Sequence, residues 1–353
     1  MRLILRTSAF LFLMSLGPLF GQSMALVGSG YTAPASIRVS PGQILKIFVS
    51  DTKTVLPPQS RLQRAASVPL PKTLAGFSVS IRQGDNVYAV PLLAVEQTPV
   101  CTDAGASSSD CYRTALTIQV PFEITVSQPG QMAPQLPGDL VVNDNGTASK
   151  HFAITAVVDN IHVVTACDAA GFNPSTGDGA WMDVTTFFNP ACPPAVTHAD
   201  GTLVTADSPA KPAETIIVYA FGLGQTTPVV KTGEPTPTPA PVLGPPSPFF
   251  VRTVGLVFDF RVNAGPSRPY VNPAVARPIG LPAPEFVGLT PGQVGLYQIN
   301  VKLPGTFPAV DPCTAFSAIT TSPGTLSNAA VSNLTISMGG VSSFDGAAIC
   351  VQP

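Results

Sequence analysis

Residues 284–304 read Pro284-Glu-Phe-Val-Gly-Leu-Thr-Pro-Gly-Gln-Val-Gly-Leu-Tyr-Gln-Ile-Asn-Val-Lys-Leu-Pro304, a tight turn followed by the clearest strand in the chain. Thr290-Pro291-Gly292 sets a fixed φ beside a residue that tolerates a positive one, as a turn requires. Beyond it Tyr297, Ile299, Val301 and Leu303 alternate with Gln298, Asn300 and Lys302. Alternation with period two predicts a half-buried strand whose apolar residues face a core.

The same pattern recurs upstream in the same order. Leu116-Thr117-Ile118-Gln119-Val120-Pro121 matches Ile299-Asn300-Val301-Lys302-Leu303-Pro304 position by position, and Ser40 to Phe48 lines up with Lys211 to Tyr219. Phe77, Val79 and Ile81 alternate as Val254, Leu256, Phe258 and Phe260 do. Ordered recurrence of this kind is the mark of an internal repeat, here of two copies. In the first copy Gln83-Gly84-Asp85-Asn86 reads as a turn into a strand from Val87 to Val95. Leu116 to Val126 reads as one long alternation, with Pro121 marking an edge or a break into two strands. Asn145-Gly146 is a hairpin signal, and Phe152, Ile154, Ala156 and Val158 return. About seven short strands so spaced fit an immunoglobulin-like sandwich. The expectation is therefore an all-β chain of two tandem immunoglobulin-like β-sandwich domains after a signal peptide.

Composition agrees with that class. The chain has 353 residues, enough for two domains with cores of their own, and 39 prolines with 30 glycines leave no room for long helices. A net charge of -2 offers no basic footprint for nucleic acid. Arg2 and Arg6 precede an apolar run from Ala9 to Phe20, with small residues at Ser23 and Ala25, which reads as a secretory signal peptide over 1–25. That run is too short to span a bilayer comfortably, and no later segment reads as a transmembrane helix. The predicted domains are 26–165, a disulfide-closed connector over 166–200, and 201–353, the last with a stiff Pro-rich loop over 235–248. The predicted location is secreted, periplasmic or outer cell surface.

Landmarks through the mature chain resemble a known family. Gly288 to Gly292, Gly295 to Val301 and Pro304 in the second copy, with Gln119 to Glu123, Asp159-Asn160-Ile161-His162-Val163-Val164-Thr165-Ala166-Cys167-Asp168, Thr197 to Val204 and Ala220 to Gly224 elsewhere, resemble the repeated C-terminal domain of secreted Solibacter-type acidobacterial proteins. The resemblance implies secretion and an immunoglobulin-like sandwich, and it brings no catalytic residues. The first copy departs from it where Cys101 to Cys111 replaces the Thr-Pro-Gly turn.

Six cysteines in an exported chain predict pairing, and sequence neighbours suggest Cys101 with Cys111, Cys167 with Cys192, and Cys313 with Cys350. His162, Cys167, Cys192 and His198 could be assembled into a zinc site, but an oxidising compartment and the lack of Cys-x-x-Cys favour the disulfide. Asp168, Asn173, Asp178 and Asp183 offer oxygens without EF-hand spacing, so solvated loop residues are the preferred reading. His151, His162 and His198 allow a Ser-His-Asp triad only arithmetically, since no Gly-x-Ser-x-Gly elbow is present. The sequons at Asn145 and Asn333 are assigned no role. No catalytic, cofactor or metal residue is predicted.

Between Cys167 and Cys192 lie Phe172, Trp181, Phe187 and Phe188, an unusual set for a polar connector. They read either as a rigid joint between sandwiches, the preferred reading, or as a platform for a partner. The function expected is an interaction or structural module, with an envelope protein or polysaccharide as the partner class. A carbohydrate-binding module is the alternative, and a secreted hydrolase the more distant one.

Overall fold

The computed structural model describes residues 25–29, 37–99, 111–126, 137–148, 152–165, 168, 193–244, 253–260, 283–317 and 328–353. The first half supplies β1 (Ala25–Ser29), β2 (Ile37–Val39), β3 (Ile44–Ser50), β4 (Leu62–Arg64), β5 (Thr73–Leu74), β6 (Phe77–Gln83), β7 (Asn86–Val90), β8 (Leu92–Pro99), β9 (Tyr112–Gln119), β10 (Pro137–Asp144), β11 (Thr147–Ala148) and β12 (Phe152–Ala156). The second supplies β13 (His162–Val163), β14 (Val196–His198), β15 (Thr215–Phe221), β16 (Thr226–Thr227), β17 (Val242–Leu243), β18 (Gly255–Asp259), β19 (Phe286–Leu289), β20 (Tyr297–Lys302), β21 (Thr314–Ser317), β22 (Asn328–Val331), β23 (Leu334–Gly339) and β24 (Phe344–Ile349). The chain is all-β, as its alternation predicts.

One sheet runs β1-β3-β9-β8-β4 and the other β2-β12-β10-β6-β5. Leu45, Ile47, Leu116 and Ile118 from the first meet Phe77, Ile81, Leu140 and Ile154 from the second in one buried cluster. In the second half β13-β15-β20-β19-β17-β16 forms a sheet and β18-β23-β24 another. Ile216, Val218, Ile299 and Val301 meet Leu256, Ile336, Met338 and Ile349 in a second cluster. Lettered in chain order, each half pairs its strands as A-B-E-D against G-F-C, the order of an immunoglobulin-type sandwich. Each copy also lets its A segment cross over to lie parallel to its last strand: Val39 pairs with Ala156 in the first, and Ala210 bridges Val351 in the second.

The repeat holds at the level of single hydrogen bonds. Ile118 faces Leu45 across β9 and β3, and Val301 faces Ile216 across β20 and β15, the register that the aligned sequences require. The turn before each B strand is the same turn. Gln43 N donates to the Ser40 carbonyl at 3.2 Å, as Glu214 N does to Lys211 at 3.3 Å, and Val120 N reaches the Gln43 carbonyl as Leu303 N reaches Glu214, both at 2.8 Å.

Three details differ from the sequence reading. The alternation from Leu116 to Val126 breaks near Pro121, one of the two readings of that proline, but no second strand follows: β9 stops at Gln119, Phe122 joins the second core and Ile124 stays in the first. The strand expected from Val87 to Val95 is divided at Pro91, with β7 paired to β6 in one sheet and β8 to β9 in the other. The third concerns the connector. β13 is already paired with β15, opposite Phe221 and Ala220, and β14 pairs with the same strand, so the chain on both sides of residues 166–192 belongs to the second sandwich. The Pro-rich loop is held against its sandwich, since Thr236 N donates to Gln293 O and Gly292 N to Thr236 O, both at 2.9 Å.

Candidate functional site

The junction of the two sandwiches is tied by hydrogen bonds from both sides. Val157 to Asn160 crosses between them, and Asp159 has no exposed surface. Its carboxylate accepts from Val341 N at 2.6 Å, Ser342 N at 2.9 Å and Ser343 Oγ at 2.8 Å, all in the turn between β23 and β24. Gly340 is required there, because a Cβ would lie 2.6 Å from that carboxylate. Asn160 N donates to Gly222 O at 2.8 Å, while its amide donates to Arg38 O at 3.0 Å. Arg38 closes the ring by donating from Nη2 to Ser342 O at 2.7 Å. The joint thus takes donors and acceptors from both sandwiches.

A second contact lies beside it. Phe122 leaves the first sandwich and packs into the core of the second. Its ring covers Gly42, whose φ of +74° and lack of a Cβ, which would fall 2.2 Å from the ring, make glycine the residue that fits. Phe122 N donates to Thr232 Oγ1 at 2.8 Å, and Gly233 N donates to Gln119 Oε1 at 2.7 Å. In the second copy the repeat places Ala213 at the Gly42 turn and Gly305 at the Phe122 position, so this knob exists only at the joint.

Two histidines sit in clusters of carboxylates. His162 is buried; its Nε2 lies 2.8 Å from Asp168 Oδ2 and its Nδ1 3.5 Å from Asp345 Oδ2. Burial disfavours the charged ring, but the Asp168 and Asp345 carboxylates outweigh it and raise its pKa to about 9. Burial likewise works against the Asp168 carboxylate, and His162 with the Thr165 donors outweighs it, so its pKa is lowered.

His198 stands between a carboxylate and a serine. Its Nδ1 is 2.5 Å from Glu214 Oε1, and its Nε2 is 3.2 Å from Ser208 Oγ and 3.1 Å from the Ser208 carbonyl. Hydroxyl, imidazole and carboxylate in that order look like a nucleophile relay. The surroundings argue for a clasp instead. Pro209 follows Ser208, so the amide that would stabilise an oxyanion there does not exist. Partial burial disfavours a charged ring, yet Glu214 and the Ser208 carbonyl outweigh it and raise the pKa.

Cys313 is bonded to Cys350 as expected, and Cys111 is disulfide-bonded. Cys101, Cys167, Cys192, His151, Asn173, Asp178, Asp183, Phe172, Trp181, Phe187 and Phe188 lie outside the described residues. Among the described residues no group of three or more His, Cys, Asp or Glu is arranged to hold a metal. Asn333 is buried, donating to Asp311 O at 3.0 Å and Val351 O at 2.9 Å while its Oδ1 accepts from Val351 N at 2.8 Å, so its sequon serves the fold. Sequence reading missed the joint residues, because Asp159 and its partners are separated by 182 to 184 positions. The one available signal was that Asp159-Asn160 and Gly222 fall on landmark motifs.

No protein-family model matches the chain, and no curated protein does. Among solved structures, the Streptococcus agalactiae AgI/II polypeptide BspA C-terminal domain aligns over 92% of this chain and 96% of its own, at 7% identity and a TM-score of 0.17. A structure titled BspA_C_mut aligns over 93% and 99% at 6% identity and a TM-score of 0.16. Similarity at that level carries no argument about fold or task.

Proposed function

We propose that the chain is a secreted or envelope-associated pair of immunoglobulin-like sandwiches that works as a rigid interaction or structural module. The observation that carries this reading is the joint: a buried carboxylate, Asp159, takes three hydrogen bonds from one turn of the second sandwich while Arg38 of the first bonds the same turn. Such a joint fixes the angle between two sandwiches, which suits a protein that presents surfaces at set positions. The Cys313–Cys350 bond favours an oxidising compartment, and no helix among the described residues is long and apolar enough to cross a membrane. An envelope protein or polysaccharide remains the partner class. A carbohydrate-binding module would need exposed rings, and Phe344 is the one aromatic among the exposed large apolar side chains described.

Expression of the full chain in a bacterial host, followed by fractionation and N-terminal sequencing, tests the compartment. Processed, oxidised protein in the periplasm or medium supports the reading; unprocessed, reduced protein in the cytoplasm contradicts it. A glycan array decides the carbohydrate alternative, and turnover of ester substrates that is abolished by Ser208→Ala would replace the module with a hydrolase.

A further inference from the structure

The A strand of the second sandwich is in two pieces. β13 places Val163 opposite Ala220, and β14 places Val196 opposite Val218. Between them Val164 N donates to Tyr219 O at 2.9 Å and Tyr219 N donates to Ala195 O at 3.2 Å. The first sandwich covers the same course with a single strand: β1 sets Leu26 opposite Val49 and Gly28 opposite Phe48, leaving Val27 as one bulged residue. When β3 is laid on β15 by the shared turn, Val49 corresponds to Ala220 and Phe48 to Tyr219. Leu26 then corresponds to Val163 and Gly28 to Ala195. Residues 164–194 stand where the first copy has one residue.

The base of this excursion is closed tightly. Ala195 N donates to Val164 O at 2.6 Å, and Thr165 bridges Pro194 in antiparallel fashion. Asp168 Oδ2 accepts from Thr165 N and Thr165 Oγ1, both at 2.8 Å, and meets His162 Nε2. On the other side of the imidazole, Asp345 Oδ2 accepts from Val163 N at 2.9 Å, which ties the neck to β24 of the opposite sheet. Extra residues at a bulge leave the flanking ladder intact, and the entropic cost of a longer loop grows slowly with its length.

We infer that residues 164–194 are an insertion at a β-bulge of the second sandwich, dispensable for its folding, with His162, Asp168 and Asp345 locking its root. It is therefore an appendage of one sandwich, not the linker between two. This inference rests on strand pairing and stands whether or not the chain is exported.

The test uses the full chain with a site-specific protease sequence inserted after Gly177. After cleavage the nicked protein should elute as before and melt within about 2 °C of the uncut protein, far less than loss of a domain's packing gives. A variant with 164–194 replaced by one glycine should keep the Cys313–Cys350 bond and a cooperative melt, lowered no further than Asp168→Asn lowers the full chain, since excision removes the Asp168 partner of His162. In the uncleaved chain His162→Gln should quicken cutting at the inserted site about tenfold, through local opening at the neck. Loss of the cooperative melt on nicking overturns the insertion, and it decides the matter if the excised variant fails to fold. An unchanged cutting rate in His162→Gln overturns the lock.

Discussion

Replacing Asp159 by alanine removes the acceptor for three donors in the turn Val341-Ser342-Ser343. A hydrogen bond to a charged group contributes about 1.5–3 kcal/mol, and a buried donor left alone costs about 1–3 kcal/mol. Water can reach part of this turn, since Val341 is 45% exposed, so full addition of the three terms overstates the loss. An expected cost is about 3–5 kcal/mol, which at an m value near 2–3 kcal/mol/M moves the urea midpoint down by about 1–2 M. Asp159→Asn keeps the shape with one neutral acceptor and should lose roughly half as much. The denaturation should also separate into two transitions, because the turn that joins the sandwiches has lost its anchor. Asp207→Ala, an exposed carboxylate in the loop after β14, is the control and should stay within about 0.5 kcal/mol of wild type. A midpoint for Asp159→Ala indistinguishable from that control would refute the assignment of the joint.

Ile118→Asp and Ile299→Asp each bury a carboxylate at a fully enclosed core position and should cost above about 4 kcal/mol; soluble variants of unchanged stability would mean the wrong face of the strand is inside. Removing the Cys313–Cys350 bond, which spans 37 positions, should cost about 4 kcal/mol on loop entropy, read as a lower melting temperature of the paired serine variant. His162 has a folded pKa of about 9 against an ordinary 6.5, so its contribution is complete below pH 6.5 and fades as pH rises through 9. Melting curves from pH 6 to 10 should show that loss in wild type and not in His162→Gln; parallel curves would contradict it.

Strand positions were legible because the two sheet faces impose period two on Phe77 to Ile81 and Tyr297 to Leu303, and the repeat was legible because both copies keep the same turn before the B strand. Sheet assignment was less so. Val90 and Leu92 look like one strand in sequence, and only the missing amide of Pro91 reveals the step from one sheet to the other. The connector was misplaced for a related reason: a single bulged residue, Val27, and a long excursion occupy the same site, so no alignment by spacing could match them. The joint depends on Asp159 meeting a turn far along the chain, a contact that local pattern does not encode.

The claim on which the account rests is that the two sandwiches are fixed to each other. Spin labels at Asp85→Cys in the first and Lys302→Cys in the second, both exposed positions, measure it through their distance distribution. A single narrow distribution that broadens in Asp159→Ala is the result predicted. A broad or multiple distribution in the otherwise wild-type chain would contradict a rigid joint.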